Sequence, residues 1–328
     1  MTPRATDWTL AALVAAGFGT GALTLYAGGA GDAWVFAVHD VGGLALAGAV
    51  GWKLRRVWRR PRWSGGAAAG LALLALGSGV VWALFGPLYL GGYSLLVWHG
   101  ALGFVLFMAV AAHFLARARP ARVEGRRDAL ALLGLGALGV AAWRLQHAAS
   151  PRRFTGSYAL AGADFPATSW VGDAPEPLPG SHRVAVGGHV RAPLALGAGD
   201  LDAGDELVAT LDCTGGFATT QRWRGVALGR VLDRAGVSPR ATHVRVVSRT
   251  GYRWSFPLED ARGFLLAVGV GGAPLTHGHG APVRLVAPGR RGFQWVKWVD
   301  RVEVDDAPDL GAPLSTLWSS FTPAGRGG

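Results

Sequence analysis

Val208-Ala209-Thr210-Leu211-Asp212-Cys213-Thr214-Gly215-Gly216 is the stretch on which the reading of this chain turns. Its first half has the short, alternating character of a strand. Cys213 follows that strand directly and stands immediately before Thr-Gly-Gly. A lone cysteine is most often an inert, buried small hydrophobe, but this placement argues for a chemical task. It is also the single cysteine among 328 residues, so an internal disulfide and any all-cysteine iron-sulfur or zinc site are ruled out within the chain.

Outward from this stretch, His182 to Val190, Leu207 to Leu211, Val244 to Val247 and Trp295 to Val304 read as further strands. Trp223 to Ala235 has its apolar residues near helical spacing and stops at Gly236. A mixed α+β domain is expected over residues 182–306, preceded by a Pro/Gly-rich linker and lead-in (151–181) and followed by a tail (307–328).

Residues 1–150 have a different texture. Five apolar runs, roughly 8–28, 33–52, 65–86, 93–116 and 128–147, approach the ~20 residues that cross a bilayer as a helix. Half of all residues are hydrophobic and 16% are charged, with mean hydropathy +0.28. The net charge of +11 does not point to nucleic acid, because its placement is topological. Residues 1–150 hold 13 Lys/Arg against 5 Asp/Glu, gathered at Lys53 to Arg62 and Arg117 to Arg127. With both basic loops inside, the C-terminal domain of a multi-pass membrane protein falls on the extracytoplasmic side. Arg126-Arg127 before an apolar segment also resembles a twin-arginine export signal, or simply an inside-facing anchor.

Ionisable groups within membrane helices are functional candidates. His39 and His99 each stand seventh in their runs, at matching depth near the outer face, a geometry for clamping one haem iron from two sides. His113 lies 14 residues beyond His99, on nearly the same helix face and roughly 21 Å away. That spacing resembles the ligand helix of two-haem b-type membrane cytochromes. The matching inner position on the second helix is Lys53, so a second haem lacks an obvious ligand.

Five ordered blocks carry a more specific resemblance. They are Val208 to Gly216, Trp223-Arg-Gly-Val-Ala-Leu, Gly251-Tyr252-Arg-Trp-Ser-Phe-Pro, His279-Gly-Ala-Pro-Val-Arg284-Leu-Val-Ala-Pro-Gly289 and Val296-Lys297-Trp298-Val299. Together they resemble the molybdopterin-binding domain of the sulfite-oxidase family, and are similar to periplasmic methionine sulfoxide reductase catalytic subunits. The resemblance implies that Cys213 binds molybdenum as a thiolate, a soft ligand suited to such a metal. It implies that His279 and Arg284 contact the pterin phosphate, with Lys297 and one of Arg290 or Arg291 extending that cradle. Tyr252 matches the tyrosine beside the metal, although a cross-strand aromatic pairing is an alternative.

The departures bear on the substrate. Where sulfite oxidases place anion-binding arginines soon after the cysteine, this chain has Thr214, Gly215, Gly216, Phe217 and Ala218, and Gln294 stands at the position of a second arginine. The expected protein is a membrane-bound molybdenum-cofactor oxidoreductase. It would exchange electrons between an extracytoplasmic metal site and a membrane haem b or quinone pool, with oxygen-atom transfer on a small or sulfoxide-type substrate. Sulfite oxidation, and a non-catalytic molybdopterin-fold binding protein with a plain membrane anchor, are the rival readings.

Overall fold

A computed structural model of the chain describes residues 1–57, 63–86, 88–91, 93–117, 126–149, 152–162, 164–168 and 174–319. Arg59, Arg60, Arg62, Arg119 and Arg122 of the two basic loops, and residues 320–328 of the tail, lie outside the described residues. The chain divides into two compact units, Met1–Ala159 with Cys213–Phe217, and Leu160–Asp212 with Ala218–Gly328.

The first unit is built on five helices: α1 (Pro3–Leu23), α2 (Ala33–Val57), α3 (Trp63–Phe85), α4 (Leu95–Arg117) and α5 (Arg126–Ala149). Each falls on one of the five apolar runs. Four candidate spans, Ala30–Val57, Gly66–Phe85, Leu95–Ala116 and Arg126–Ala148, are long and apolar enough to cross a membrane. The first helix also forms on its apolar run, though it is not one of these four candidate spans.

Inside the bundle, Val14, Leu46, Val50, Ala72, Ala75 and Leu106 form a buried cluster, and Phe18 stacks on Phe107 at 4.3 Å. Leu115, Leu133 and Leu138 point outward at 82%, 70% and 67% exposure. A helix apolar on both its inner and outer faces suits a lipid environment. A two-residue hairpin, β1 (Tyr89–Leu90) with β2 (Tyr93–Ser94), joins α3 to α4, and β3 (Tyr158–Ala159) closes this part of the chain.

Two sheets organise the second unit. The first runs β11 (Ala273–Pro274), β10 (Leu265–Val270), β7 (Phe217–Ala227), with β12 (Arg284–Val286) on β10 and β6 (Asp205–Asp212) on β7. The second runs β5 (Leu194–Leu196), β4 (Val184–Gly188), β13 (Val299–Asp305), β8 (His243–Ser248), β9 (Arg253–Pro257). Only its β4–β13 pairing is parallel. Short helices α6 (Ala198–Leu201), α7 (Leu228–Ala235), α8 (Leu258–Arg262) and α9 (Ser315–Ser319) complete the described elements.

The helix expected from Trp223 begins only at Leu228, and stops at Gly236 as expected. Residues 223–227 instead extend β7, where Trp223 pairs with Leu207 on one side and Val270 on the other. Its indole is fully buried and donates to the Ala209 carbonyl at 3.2 Å, so sheet packing outweighs local helical periodicity.

Candidate active site and paired histidines

Strands β6 and β7 are paired down to Asp212 opposite Ala218, and the five residues between them make the turn that carries Cys213. The turn is closed by Cys213 N–H donating to the Phe217 carbonyl at 2.8 Å. Cys213 is buried, and the Gly215 N–H points at its Sγ from 3.3 Å. Cysteine binds metals through this sulfur.

Asp212, the residue before it, is held by a buried ion pair with Arg291, each side chain 3% exposed, and by a parallel bridge between the two backbones. Sequence reasoning passed over Asp212. Its signal was a charged residue between two apolar ones, Leu211 and Cys213, at the end of a strand; all three are buried.

Beyond Arg291 the chain makes a 3-10 turn, Gly292–Gln294. The Phe293 carbonyl accepts the Tyr252 hydroxyl, whose oxygen in turn accepts Trp254 Nε1–H at 2.6 Å. Tyr252 therefore has its proton committed to a backbone carbonyl here, and donating to a substrate requires it to exchange that bond. Gln294 is 4% exposed, and its Oε1 finds no hydrogen-bond partner among the described residues. One short segment thus braces the residue before Cys213 through Arg291, anchors Tyr252 through Phe293, and holds a buried amide oxygen unsatisfied, which a bound ligand would relieve.

The residues expected to meet a phosphate gather at a second place. Arg284, 2% exposed, has its guanidinium 5.2 Å from the Trp223 ring and 5.7 Å from the Trp295 ring, and donates to the His279 carbonyl at 3.1 Å. Lys297 donates to the Thr168 and Gly278 carbonyls. Gly280, with φ +103°, lies between the two cations: a Cβ there would fall 3.0 Å from Lys297 and 3.1 Å from Arg284. Only glycine allows that approach and that dihedral together.

His279 sits beside this pair with both ring nitrogens engaged, Nε2 on the Phe165 carbonyl at 3.0 Å and Nδ1 on the Thr276 hydroxyl at 2.8 Å. Burial pushes its pKa below 6.5, the Phe165 hydrogen bond opposes that, and the charges of Arg284 and Lys297 add to the lowering. Arg290 points elsewhere, to an exposed ion pair with Asp260. The structure thus brings His279, Arg284 and Lys297 together, gives Arg291 to Asp212, and sends Arg290 to the surface. Arg284 and Lys297 bring two positive charges and several N–H donors to one place, a donor set that fits an anionic organic ligand such as a pterin phosphate.

In the helical unit, His39 stands seventh in α2 and His99 fifth in α4, two places earlier than the apolar run suggested. The two imidazoles face each other with ring centres 6.0 Å apart and planes at 87°. His99 Nδ1 lies 2.8 Å from the Ala75 carbonyl, which can only accept, so Nδ1 carries the proton. His39 Nδ1 lies 3.0 Å from the Thr20 hydroxyl, which donates to the Ala16 carbonyl at 2.7 Å and so receives the Nδ1 proton. Both assignments leave the Nε2 lone pairs for a ligand, the tautomer that metal-binding histidines adopt.

A metal–imidazole bond is about 2 Å, and two in line, with the distance from each nitrogen to its ring centre, span roughly 6 Å. Gly79 makes room for the His99 ring, since a Cβ there would come 3.0 Å from Cε1. His113 is exposed, and Lys53 pairs with Asp7 at 2.8 Å. Among the described residues no group of three or more His, Cys, Asp or Glu is arranged to hold a metal ion.

Residues 171–312 match the model of the oxidoreductase molybdopterin binding domain, a range that contains Cys213, Tyr252 and the cationic cluster. This part of the chain is similar to the molybdopterin-binding domains of the sulfite-oxidase family. It is 34% identical over 129 residues to mitochondrial sulfite oxidase of Rattus norvegicus, covering 36% of this chain and 24% of that protein. It is 29% identical over 165 residues to the protein-methionine-sulfoxide reductase catalytic subunit MsrP of Xanthomonas axonopodis pv. citri, covering 44% and 49%. The sulfane dehydrogenase SoxCD structure from Paracoccus pantotrophus aligns with a TM-score of 0.38 at 28% identity, over 40% of each chain. The chain spans between about a quarter and a half of these sulfite-oxidase-family relatives. The matched range does not include the helices of residues 1–149.

Proposed function

We propose that this chain is a membrane-bound molybdenum oxidoreductase that removes an oxygen atom from a small, neutral sulfoxide-type substrate. The observation that carries it is the braced Cys213 turn: a buried sulfur with a backbone donor, its preceding residue fixed by Arg291, within a molybdopterin-binding family match. Molybdenum–molybdopterin, when bound, supplies the two-electron oxygen-transfer chemistry. Cys213 would ligate the metal, while Arg284 and Lys297 would meet the phosphate and His279 would hold their loop in place. Tyr252 and Gln294 would border the substrate.

Reduction of a sulfoxide consumes two electrons and two protons and yields a thioether and water. The substrate assignment rests on missing charge. Thr214 to Ala218 bring no arginine, and the Gln294 amide is neutral, so an anion such as sulfite would find little to offset its desolvation. Methionine sulfoxide, which the name of one relative specifies as a substrate, carries a neutral S=O group.

On this reading the helical unit binds one haem b between His39 and His99 and passes electrons singly between a quinone pool and the metal site. The four candidate spans and the two tethered imidazoles support that arrangement. The lysine- and arginine-rich loops support an extracytoplasmic C-terminal domain. Elemental analysis of the full chain from a host competent in both cofactors is expected to give one molybdenum and one iron per chain. Turnover with methionine sulfoxide should exceed turnover with sulfite. The reverse preference would replace the substrate assignment with sulfite oxidation, and molybdenum near zero would leave a binding protein.

A further inference from the structure

Away from the histidine pair, the ends of α2 and α5 enclose a groove of about 390 Å³ lined by Ala33, Trp34, Ala37, Trp143, His147 and Phe154. We infer that this groove binds the head group of a membrane quinone or quinol. The redox consequence rests on the membrane-haem reading above; the binding itself does not.

Four observations commit the groove to that occupant. First, its walls are aromatic or small, suited to a flat ring. Phe154 is fixed edge-on against Phe36 at 5.7 Å, in a cluster with Ala27 and Val35. Second, Trp143 Nε1 is buried and has no hydrogen-bond partner among the described residues. A buried N–H without an acceptor is unfavourable, and a quinone carbonyl would supply one.

Third, His147 lies on the same wall, its ring centre 4.8 Å from that of Trp143, and its Nδ1 meets the Trp143 carbonyl at 3.2 Å. That carbonyl only accepts, so Nδ1 carries the proton and Nε2 can accept one from a quinol hydroxyl. One wall therefore offers a donor for one ring oxygen and an acceptor for the other, the pair that a quinone–quinol couple requires. Fourth, both helices are candidate spans and the groove lies at their ends. Its ligand is thus a molecule with a polar ring and an apolar tail, sitting at the boundary of the bilayer.

Position adds the link to electron transfer. Ala37 lines the groove and His39 follows two residues later on the opposite side of the same helix, so the ring and the imidazole are separated by about one helix diameter, ~10 Å. Oxidation of a quinol here releases two electrons and two protons. His147 Nε2 would take one proton and water the other, and the two electrons would pass one at a time to the haem proposed above between His39 and His99.

The test uses the full chain in phosphatidylcholine nanodiscs and a ubiquinone with a one-isoprene tail, in haem-loaded and haem-free preparations. Equilibrium binding is expected to be saturable, and about tenfold weaker in Ala37→Trp, which fills the groove. Trp143→Phe keeps the ring and loses the donor, and should weaken binding several-fold, as should His147→Leu. Leu138→Ala, on an outward face of α5, should bind as wild type. Unchanged affinity in both Ala37→Trp and Trp143→Phe overturns the site, as does complete displacement of the quinone by excess phospholipid lacking any quinone. Site-dependent binding with no haem reduction by quinol in the haem-loaded preparation would uphold the groove and sink the electron-transfer reading. Haem reduced by quinol at wild-type rate in Ala37→Trp would do the opposite.

Discussion

Arg291 and Asp212 form an ion pair in which both side chains are 3% exposed, and the backbone of one bridges to the backbone of the other, one residue before Cys213. Removing one partner leaves an uncompensated charge in the interior, which costs about 3–5 kcal/mol. Arg291→Leu is expected to lower unfolding stability of the C-terminal domain by that order and to reduce molybdenum retention. Asp212→Asn with Arg291→Leu should be less damaging than the sum of the two. Denaturant unfolding with metal analysis measures both, and simple additivity would remove the bracing role.

Cys213 is expected to be required for the metal and not for the fold. Its side chain is small and its turn is closed by backbone bonds, so Cys213→Ser should retain native circular dichroism while molybdenum falls below a tenth of wild type. A serine variant that stays loaded and active would refute the assignment.

The histidine pair predicts a sharp contrast among three residues. His39→Ala and His99→Ala should each abolish the dithionite-reduced b-type absorption, whereas His113→Ala, altering an exposed ring, should leave it in place. Equal spectra in all of these variants would exclude axial ligation by His39 and His99.

Acid should act on the cationic cluster through His279. Its folded pKa lies below its unfolded value of 6.5, so the folded state binds fewer protons than the unfolded state as the solution becomes acidic. The associated stability is fully present above 6.5 and is lost as pH falls below it. His279→Gln should flatten the stability profile of the cofactor-free protein between about pH 7 and 5. An unchanged slope would assign that dependence to other groups.

Much of this was legible in the sequence because its signals are strong and local. Five apolar runs became five helices, and the block around Cys213 fell on a strand and a turn as read. What could not be read were choices set by tertiary packing. Arg290 and Arg291 are chemically equivalent neighbours, and only the path of their loop sends one to Asp260 and the other to Asp212. Tyr252 carries no mark in sequence that its hydroxyl is bound to the Phe293 carbonyl. The extension of β7 through Trp223 overrode a plausible helical pattern because that indole fills the core between two strands.

The short run from Arg291 to Phe293 has one end fastened to the residue before Cys213 and the other to the Tyr252 hydroxyl, so its length acts as a ruler. An insertion or deletion there would disturb the Asp212 and Tyr252 contacts together. This loop should tolerate substitution better than a change of length.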